Sequence, residues 1–296
     1  MEHIEQWIWL PKARYEDVQT SVTSGFVRQQ DSTFAVAEFM KGYAFDNRVV
    51  RADIRFSGDN ALQLYCNGEI VATGPAAVGG DFIGNDRPRE NYYAFETTLY
   101  PDAGELNFFA RVRLSPVQIF EFSSGHGGFM LCAVLTFEDG TQTRVSTDET
   151  WLARKNGAYK DPLCYDGRIA ADEYTFAEIT ENIWHTQTAP IPVRQERELF
   201  PGGCEISLAP NEEKTVVLDL DMVWGGFVHV KGRTEGVVFA EVMCREWEEN
   251  GSVEKVVLAG EDEYRGFYTH SAGNFLVTLK NESALPSCVT VSLIAT

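Results

Sequence analysis

Positive charge is scarce in this chain. Lys and Arg number 25 against 44 Asp and Glu, a formal net charge of −19. A phosphate backbone needs an excess of Lys and Arg to hold it, and so does an anionic membrane surface. The balance therefore argues against nucleic acid and membrane as partners. It suits solubility and is compatible with a neutral partner such as a glycan. Long apolar runs are missing too, and none approaches the roughly 20 residues of a membrane span. The opening MEHIEQWIWLPK has neither the basic nor the apolar region of a secretory signal. The six cysteines, Cys66, Cys132, Cys164, Cys204, Cys244 and Cys288, are far apart and form no C-x-x-C. Several lie in apolar runs such as MLCAVLTF and SCVTVSL. This predicts buried, reduced thiols and a cytoplasmic location. Among five histidines there is no H-x-H or H-E-x-x-H, so no zinc site is legible. There is no G-x-S-x-G elbow, and GDFIGNDRPRE lacks the Gly-Lys-Ser ending of a phosphate loop.

Helical periodicity is the remaining absence, and strand signals stand in its place. In RADIRF, Ala52, Ile54 and Phe56 alternate with Arg51, Asp53 and Arg55, which puts one face in a core and the other in water. LNFFARVRL, FMLCAVLTF, TVVLDLDM, GFVHVKG, GVVFAEVM, NFLVTLK and CVTVSLIA are further short runs rich in β-branched and aromatic residues. Turn signals such as FSGDN, YPDAGE, FEDGTQ, KGRTEG and HSAGN separate them. Strands at this spacing predict an all-β chain of two tandem antiparallel β-sandwiches. In LQLYCNGEIVATGP, Asn67-Gly68 is the favoured pair for a two-residue type I′ hairpin, because both turn residues need φ > 0. Leu62, Leu64 and Cys66 then share a face before the turn, and Glu69 and Val71 alternate with Ile70 and Ala72 after it. Pro190 and Pro192 interrupt strand pairing in TQTAPIPVRQEREL. They divide the chain into domains 1–190 and 191–296.

Catalytic carboxylates cannot be picked by eye among 44 acids. The clusters REWEENG and GEDEYRG read as solvated loop charge, and no catalytic residue is assigned. Binding residues are more legible. Aromatic rings suit the C–H faces of a sugar, and Asp, Asn and Arg suit its hydroxyls. The loop after the hairpin carries Asp81, Asn85, Asp86, Arg87, Arg89, Tyr92 and Tyr93. It is read as a carbohydrate-binding loop or as a merely solvated one. Asp81, Asn85 and Asp86 also cluster oxygen ligands for a calcium ion, without the regular EF-hand spacing. Trp224-Gly225-Gly226 offers a stacking face beside glycines that admit a close approach, or a strand bulge with a core tryptophan. Glu241 ends an apolar strand, where an acid can bind or merely support structure. Trp7 and Trp9 share a face of an extended segment and read as core or interface anchors.

The order of these landmarks resembles the N-terminal β-domains of bacterial α-L-rhamnosidases, which are multidomain glycoside hydrolases. QWIWLP is followed by AEFMKGYAF, and LQLYCNGEIVATGP is similar to that family's Asn-Gly hairpin ending in Gly-Pro. GELNFFARV is similar to its Gly-x-Asn strand, and GGFMLCAVLTFEDGTQTRVSTDETWLARK to its strand, Asp-Gly turn and Ser-Asp-x-x-Trp segment. VVLDLDMVWGGFVHVKGRTEGVVFAEVM looks like its second β-domain, with the closing glutamate at Glu241. The resemblance implies jelly-roll or galactose-binding-like sandwiches. It also implies catalytic acids on a helical (α/α) toroid C-terminal to them, which the chain to Thr296 does not include. The expected role is that of an accessory, carbohydrate-binding part that is not catalytic on its own. Its expected partners are a rhamnose-containing glycan and a C-terminal catalytic domain. The rival expectation is a purely structural docking module.

Overall fold

The computed structural model describes residues 6–15, 34–59, 61–75, 91–115, 127–180, 185–188, 196–199, 203–247, 250–268 and 270–295. These residues form strands and turns with no helix, as the period-two patterning requires. The first strands are β1 (Ile8–Trp9), β2 (Ala35–Gly58), β3 (Ala61–Cys66), β4 (Glu69–Pro75), β5 (Asn91–Leu99), β6 (Ala103–Leu114), β7 (Phe129–Phe137), β8 (Gln142–Ser146) and β9 (Leu152–Lys155). Next come β10 (Tyr159–Asp161), β11 (Cys164–Asp166), β12 (Thr175–Phe176), β13 (Glu178–Ile179), β14 (His185–Thr188) and β15 (Arg197–Glu198). The last are β16 (Cys204–Leu208), β17 (Glu213–Trp247), β18 (Asn250–Arg265), β19 (His270–Asn281) and β20 (Ser287–Ala295). Two compact units result. One comprises Met1–Asn156 and Asp172–Arg194, the other Gly157–Ala171 and Gln195–Thr296.

In the first unit, β2 serves two layers. Residues Ala35 to Ala44 pair with β6, and the register then shifts before Val49. The same first half pairs with β9. The second half pairs with β7 and β5. One layer is thus β4-β3-β6-β2-β9-β12, and the other holds β14, β5, β2, β7, β8, β1 and β13. The layers close on one core, since Phe39 of the first stacks on Phe129 of the second at 5.3 Å between ring centroids. Trp9 lies 5.7 Å from Phe39, and Trp151 lies 5.6 Å from Phe129. Trp7, Ile8 and Trp9 are all buried, so the QWIWLP segment is a core anchor. Ala52, Ile54 and Phe56 point inward, while Arg51 holds Asp53 and Arg55 holds Glu96 on the outer face.

The hairpin forms on Asn67 (φ 51°) and Gly68 (φ 84°), with Cys66 opposite Glu69. Only residues tolerant of positive φ fit such a turn. Asn67 adds two bonds: its Oδ1 accepts from the Asn107 amide at 2.8 Å, and its Nδ2 donates to the Glu105 carbonyl at 3.2 Å. The expected alternation in β4 holds only near the turn. Tyr65 pairs with Ile70 but Leu64 with Ala72, so Val71 is an extra residue in a bulge. At Gly127 (φ 60°) a Cβ would stand 2.1 Å from the Trp9 ring, so a side chain there is excluded twice over.

The second unit repeats the device. β17 is one ladder with register shifts, where the sequence suggested three strands. Glu213 to Asp219 pairs with β19, Gly226 to Arg233 with β20, and Val238 to Cys244 with both β18 and β19. Gly226 permits the crossing, because a Cβ there would lie 2.2 Å from the Ile294 carbonyl oxygen. β11 joins β18 in parallel, Cys164 opposite Lys255, which brings residues 157–171 into this unit.

Candidate functional site

The strand register of the first unit builds a sheet face of two adjoining rows, on which Gln63 and Glu38 are buried and the other side chains are half-buried or exposed. Residues directly paired across strands share a face of the sheet. One row runs Gln63, Arg111, Glu38, Arg154 across β3, β6, β2 and β9. The next runs Tyr65, Phe109, Met40, Leu152, Phe176 across the same strands and β12. Five strands at about 4.8 Å spacing make this row roughly 19 Å long, and the rows lie about 7 Å apart. The intervening positions Leu64, Ala110, Phe39 and Ala153 point the other way and are fully buried.

The polar row is ordered by one carboxylate. Glu38 is 1% exposed, while its partners Arg111 and Arg154 keep 21% and 29% of their side-chain surface. Arg111 donates from Nε to Oε1 at 2.9 Å, Arg154 from Nε to Oε2 at 2.7 Å, and Asn156 from Nδ2 to Oε1 at 2.9 Å. Burial pushes this carboxyl upward, but Arg111, Asn156 and Arg154 outweigh it and hold Glu38 below the usual carboxylate range. It is therefore ionised at neutral pH. Rings flank both guanidinium groups: that of Arg111 lies 5.2 Å from the Phe109 centroid and that of Arg154 lies 4.3 Å from the Tyr174 centroid. In the second row Tyr65 and Phe109 are in tilted contact at 5.6 Å. Both are half-buried, whereas Met40 is 37% and Phe176 65% exposed. The face thus offers apolar rings in one line and fixed donors in the next, which is the pairing that a sugar's C–H face and hydroxyls require.

These residues were not singled out from the sequence, although the alternation carries them. Glu38 and Met40 interleave with Phe39, and Phe109 and Arg111 with Phe108 and Ala110. Which strands stand side by side is a tertiary fact. Of the sequence candidates, Asp81, Asn85, Asp86, Arg87 and Arg89 lie outside the described residues, and with them the proposed calcium ligands. Tyr92 and Tyr93 lie in β5 rather than in the expected loop, their backbone paired in parallel with Thr186 and Gln187. Trp224 is half-buried, with the Arg197 guanidinium 5.7 Å from its ring. Glu241 is exposed and 3.9 Å from Lys255. The two do not converge: Trp224 pairs with Ala272 and Glu241 with Thr278, six residues and about 20 Å along β19. Among the described residues no group of three or more His, Cys, Asp or Glu could hold a metal ion.

A second polar cluster lies within the other unit. The His270 imidazole meets Glu254 at 2.5 Å and the Ser252 hydroxyl at 3.1 Å, and the Tyr264 hydroxyl donates to the same carboxylate. Serine, imidazole and carboxylate in this order have the connectivity of a nucleophilic triad. Here His270 and Glu254 are buried, and even a Cβ on Gly266 would stand 2.9 Å from the carboxylate. The carboxylate end is closely packed, and the hydrogen bonds among these four side chains read as a core network.

The cysteines carry no disulfide. Burial pushes the thiols of Cys66 and Cys164 up to about 11, so both stay protonated. No helix among the described residues is long and apolar enough to cross a membrane.

No protein-family model matches the chain, and no curated protein matches it in sequence. Solved structures do match in fold. An α-L-rhamnosidase from Aspergillus terreus superposes with a TM-score of 0.58 at 12% identity, over 98% of this chain and 36% of that one. One from Dictyoglumus thermophilum gives 0.56 at 14%, over 97% and 35%. One from Streptomyces avermitilis, complexed with L-rhamnose, gives 0.56 at 15%, over 88% and 29%. The chain spans about a third of the length of each. In fold, the likeness first read from the order of landmarks in the sequence holds: this chain has the all-β architecture of one portion of these α-L-rhamnosidases.

Proposed function

We propose that this chain is the accessory, carbohydrate-binding β-sandwich part of an α-L-rhamnosidase-like glycoside hydrolase, and that it engages a rhamnose-containing glycan on the two-row face of the first unit. The observation that supports this most is the juxtaposition of Tyr65, Phe109, Met40 and Phe176 with the donors of Arg111 and Arg154. A non-catalytic role fits the same face. Glycoside hydrolysis uses two carboxyl groups flanking the bond, whereas the only carboxylate in these rows is Glu38, held ionised between two guanidinium groups. Cysteines without a disulfide fit a reducing, cytoplasmic setting. The segment from Asp81 to Arg89 is a further contact in this reading, with calcium as the ion its oxygens would hold.

Titration calorimetry with rhamnose-containing oligosaccharides tests the reading. A dissociation constant in the millimolar range, worth about 4 kcal/mol, is expected for a shallow face, and Phe109→Ala should weaken it at least tenfold. Absence of heat with every such glycan would remove the binding role. Turnover of an aryl α-L-rhamnoside by the chain alone would overturn the accessory role. A second reading, a docking module for a catalytic domain, is favoured by Val217, Met222 and Val223, which leave β17 48%, 60% and 67% exposed. Substituting Met222 and Val223 by Asp should abolish co-purification with a separately expressed catalytic domain if that reading is right.

A further inference from the structure

We infer that residues 157–171 are a tether through which the second unit controls the order of the Glu38 row. The segment belongs to the second unit, although the chain on both sides of it belongs to the first. It leaves the first unit after Asn156 and returns at Asp172. The two ends meet, because the Asp172 amide donates to the Lys155 carbonyl at 3.0 Å. Loops whose ends are this close pack as compact bodies. Both ends of this one carry parts of the Glu38 row. The Asn156 amide donates to the Val36 carbonyl at 2.8 Å, and its Nδ2 donates to Glu38 Oε1 at 2.9 Å. Shortly after Asp172, the Tyr174 ring lies 4.3 Å from the Arg154 guanidinium.

The head of the loop is fastened to the second unit. β10 and β11 pair antiparallel, and β11 joins β18 in parallel. The Lys255 amide donates to the Leu163 carbonyl at 2.7 Å, and the Gly167 amide to the Val257 carbonyl at 2.8 Å. Tyr159 and Tyr165 are buried, with ring centroids 5.8 and 5.2 Å from that of Tyr264. Asp262 completes the attachment. Its Oδ1 accepts from the Tyr165 hydroxyl at 2.7 Å. A Cβ on Gly167 would stand 1.6 Å from its Oδ2 and 3.0 Å from the Val257 carbonyl oxygen. A side chain at 167 therefore displaces either Asp262 or β18. Slack between head and ends is short. Gly157 and Ala158 alone separate Asn156 from Tyr159, and Ala158 is itself buried, its carbonyl accepting from the Asp166 amide at 2.8 Å. A head that leaves β18 thus frees Asn156 to leave Glu38, and loss of the Asn156 bond loosens the head. The effect runs through the chain at 156–157 and 171–172, and as an equilibrium coupling it is reciprocal.

Amide-resolved hydrogen exchange of the full chain tests this, because local opening is read bond by bond. Gly167→Ala should speed exchange of the Lys255 amide, which reports the head, about tenfold or more. It should also speed the Asn156 and Asp172 amides, which report the ends, about threefold or more. The Asn67 amide, bonded to the Asn107 carbonyl elsewhere in the first unit, should not change. Tyr165→Phe removes only the hydroxyl bond to Asp262 and should give the same pattern more weakly, which keeps the test open where Gly167→Ala does not fold. In the reverse direction, Glu38→Gln should speed the Lys255 amide. Insertion of Gly-Gly-Ser after Asn156 and again after Ala171 should abolish the response of the ends to Tyr165→Phe while leaving that of the head. Faster exchange confined to the head, with Asn156 and Asp172 at their wild-type rates, would overturn the inference. So would an equal rise at Asn67, which would mean global unfolding, or a response of the ends that survives the insertions.

Discussion

Replacement of Glu38 by Gln isolates the charge that orders the candidate face. The side chain keeps its size and loses its anion, so two ion pairs become bonds from a charged guanidinium to a neutral amide, and one oxygen is replaced by a donor pointed at a guanidinium. Removing one partner of a fully buried ion pair costs about 3–5 kcal/mol. Here Glu38 is 1% exposed but its partners keep 21% and 29% of their side-chain surface. Water can re-solvate the orphaned guanidinium groups in part, which brings the expected loss to about 2–3 kcal/mol. The assay is urea unfolding at pH 7, followed by the fluorescence of the buried Trp7, Trp9 and Trp151, with the denaturant slope compared between proteins. The pH dependence gives a second reading. The folded protein holds this carboxyl below its ordinary value, so its contribution is complete above about pH 4.3, the unfolded value. It is lost as the pH falls through the folded value. The gap between wild type and Glu38→Gln should therefore be full at pH 7 and close on acidification. A loss under about 1 kcal/mol at pH 7, outside the range for a broken buried pair, or a gap that does not narrow in acid, would refute the account of this row.

Three further outcomes follow from local geometry. Asn67→Ala should cost about 2–3 kcal/mol from a strained φ and two lost bonds, against about 1 kcal/mol for Gly68→Ala, whose Cβ meets nothing within 4 Å; equal urea midpoints for the two variants would contradict the bonding role of Asn67. Gly127→Ala drives a methyl into the Trp9 ring at positive φ and should lower stability by at least about 2 kcal/mol; a thermal midpoint within 2 °C of wild type, well under the usual shift for that loss, would count against it. Iodoacetamide at pH 8 should label Cys66 and Cys164 far more slowly in the folded chain than in urea, because both thiols titrate near 11; peptide mass mapping that finds them modified at the free-cysteine rate would show them ionised.

The sequence alone determined the class of the fold, because a period of two is a local property of the chain. RADIRF shows its inward and outward sets without reference to any neighbour, and Asn67-Gly68 demands its turn whatever surrounds it. The acidic balance and the spacing of the cysteines were likewise complete in one dimension. Tertiary structure decided how strands were shared. β2 and β17 each continue through register shifts into several pairings, so runs that look like separate strands are one ladder. It also decided that residues 164–166 pair with a strand about ninety positions later. The candidate face belongs wholly to this second kind. Gln63, Arg111, Glu38 and Arg154 come from four strands and span 116 positions between Glu38 and Arg154. Nothing in their local patterns marks them as neighbours, since alternation tells which way a side chain points but not which strand lies beside it. The order β3-β6-β2-β9 is fixed by how the strands close over the core of Trp9, Phe39, Phe129 and Trp151, and only that closure sets one carboxylate between two arginines beside a row of rings.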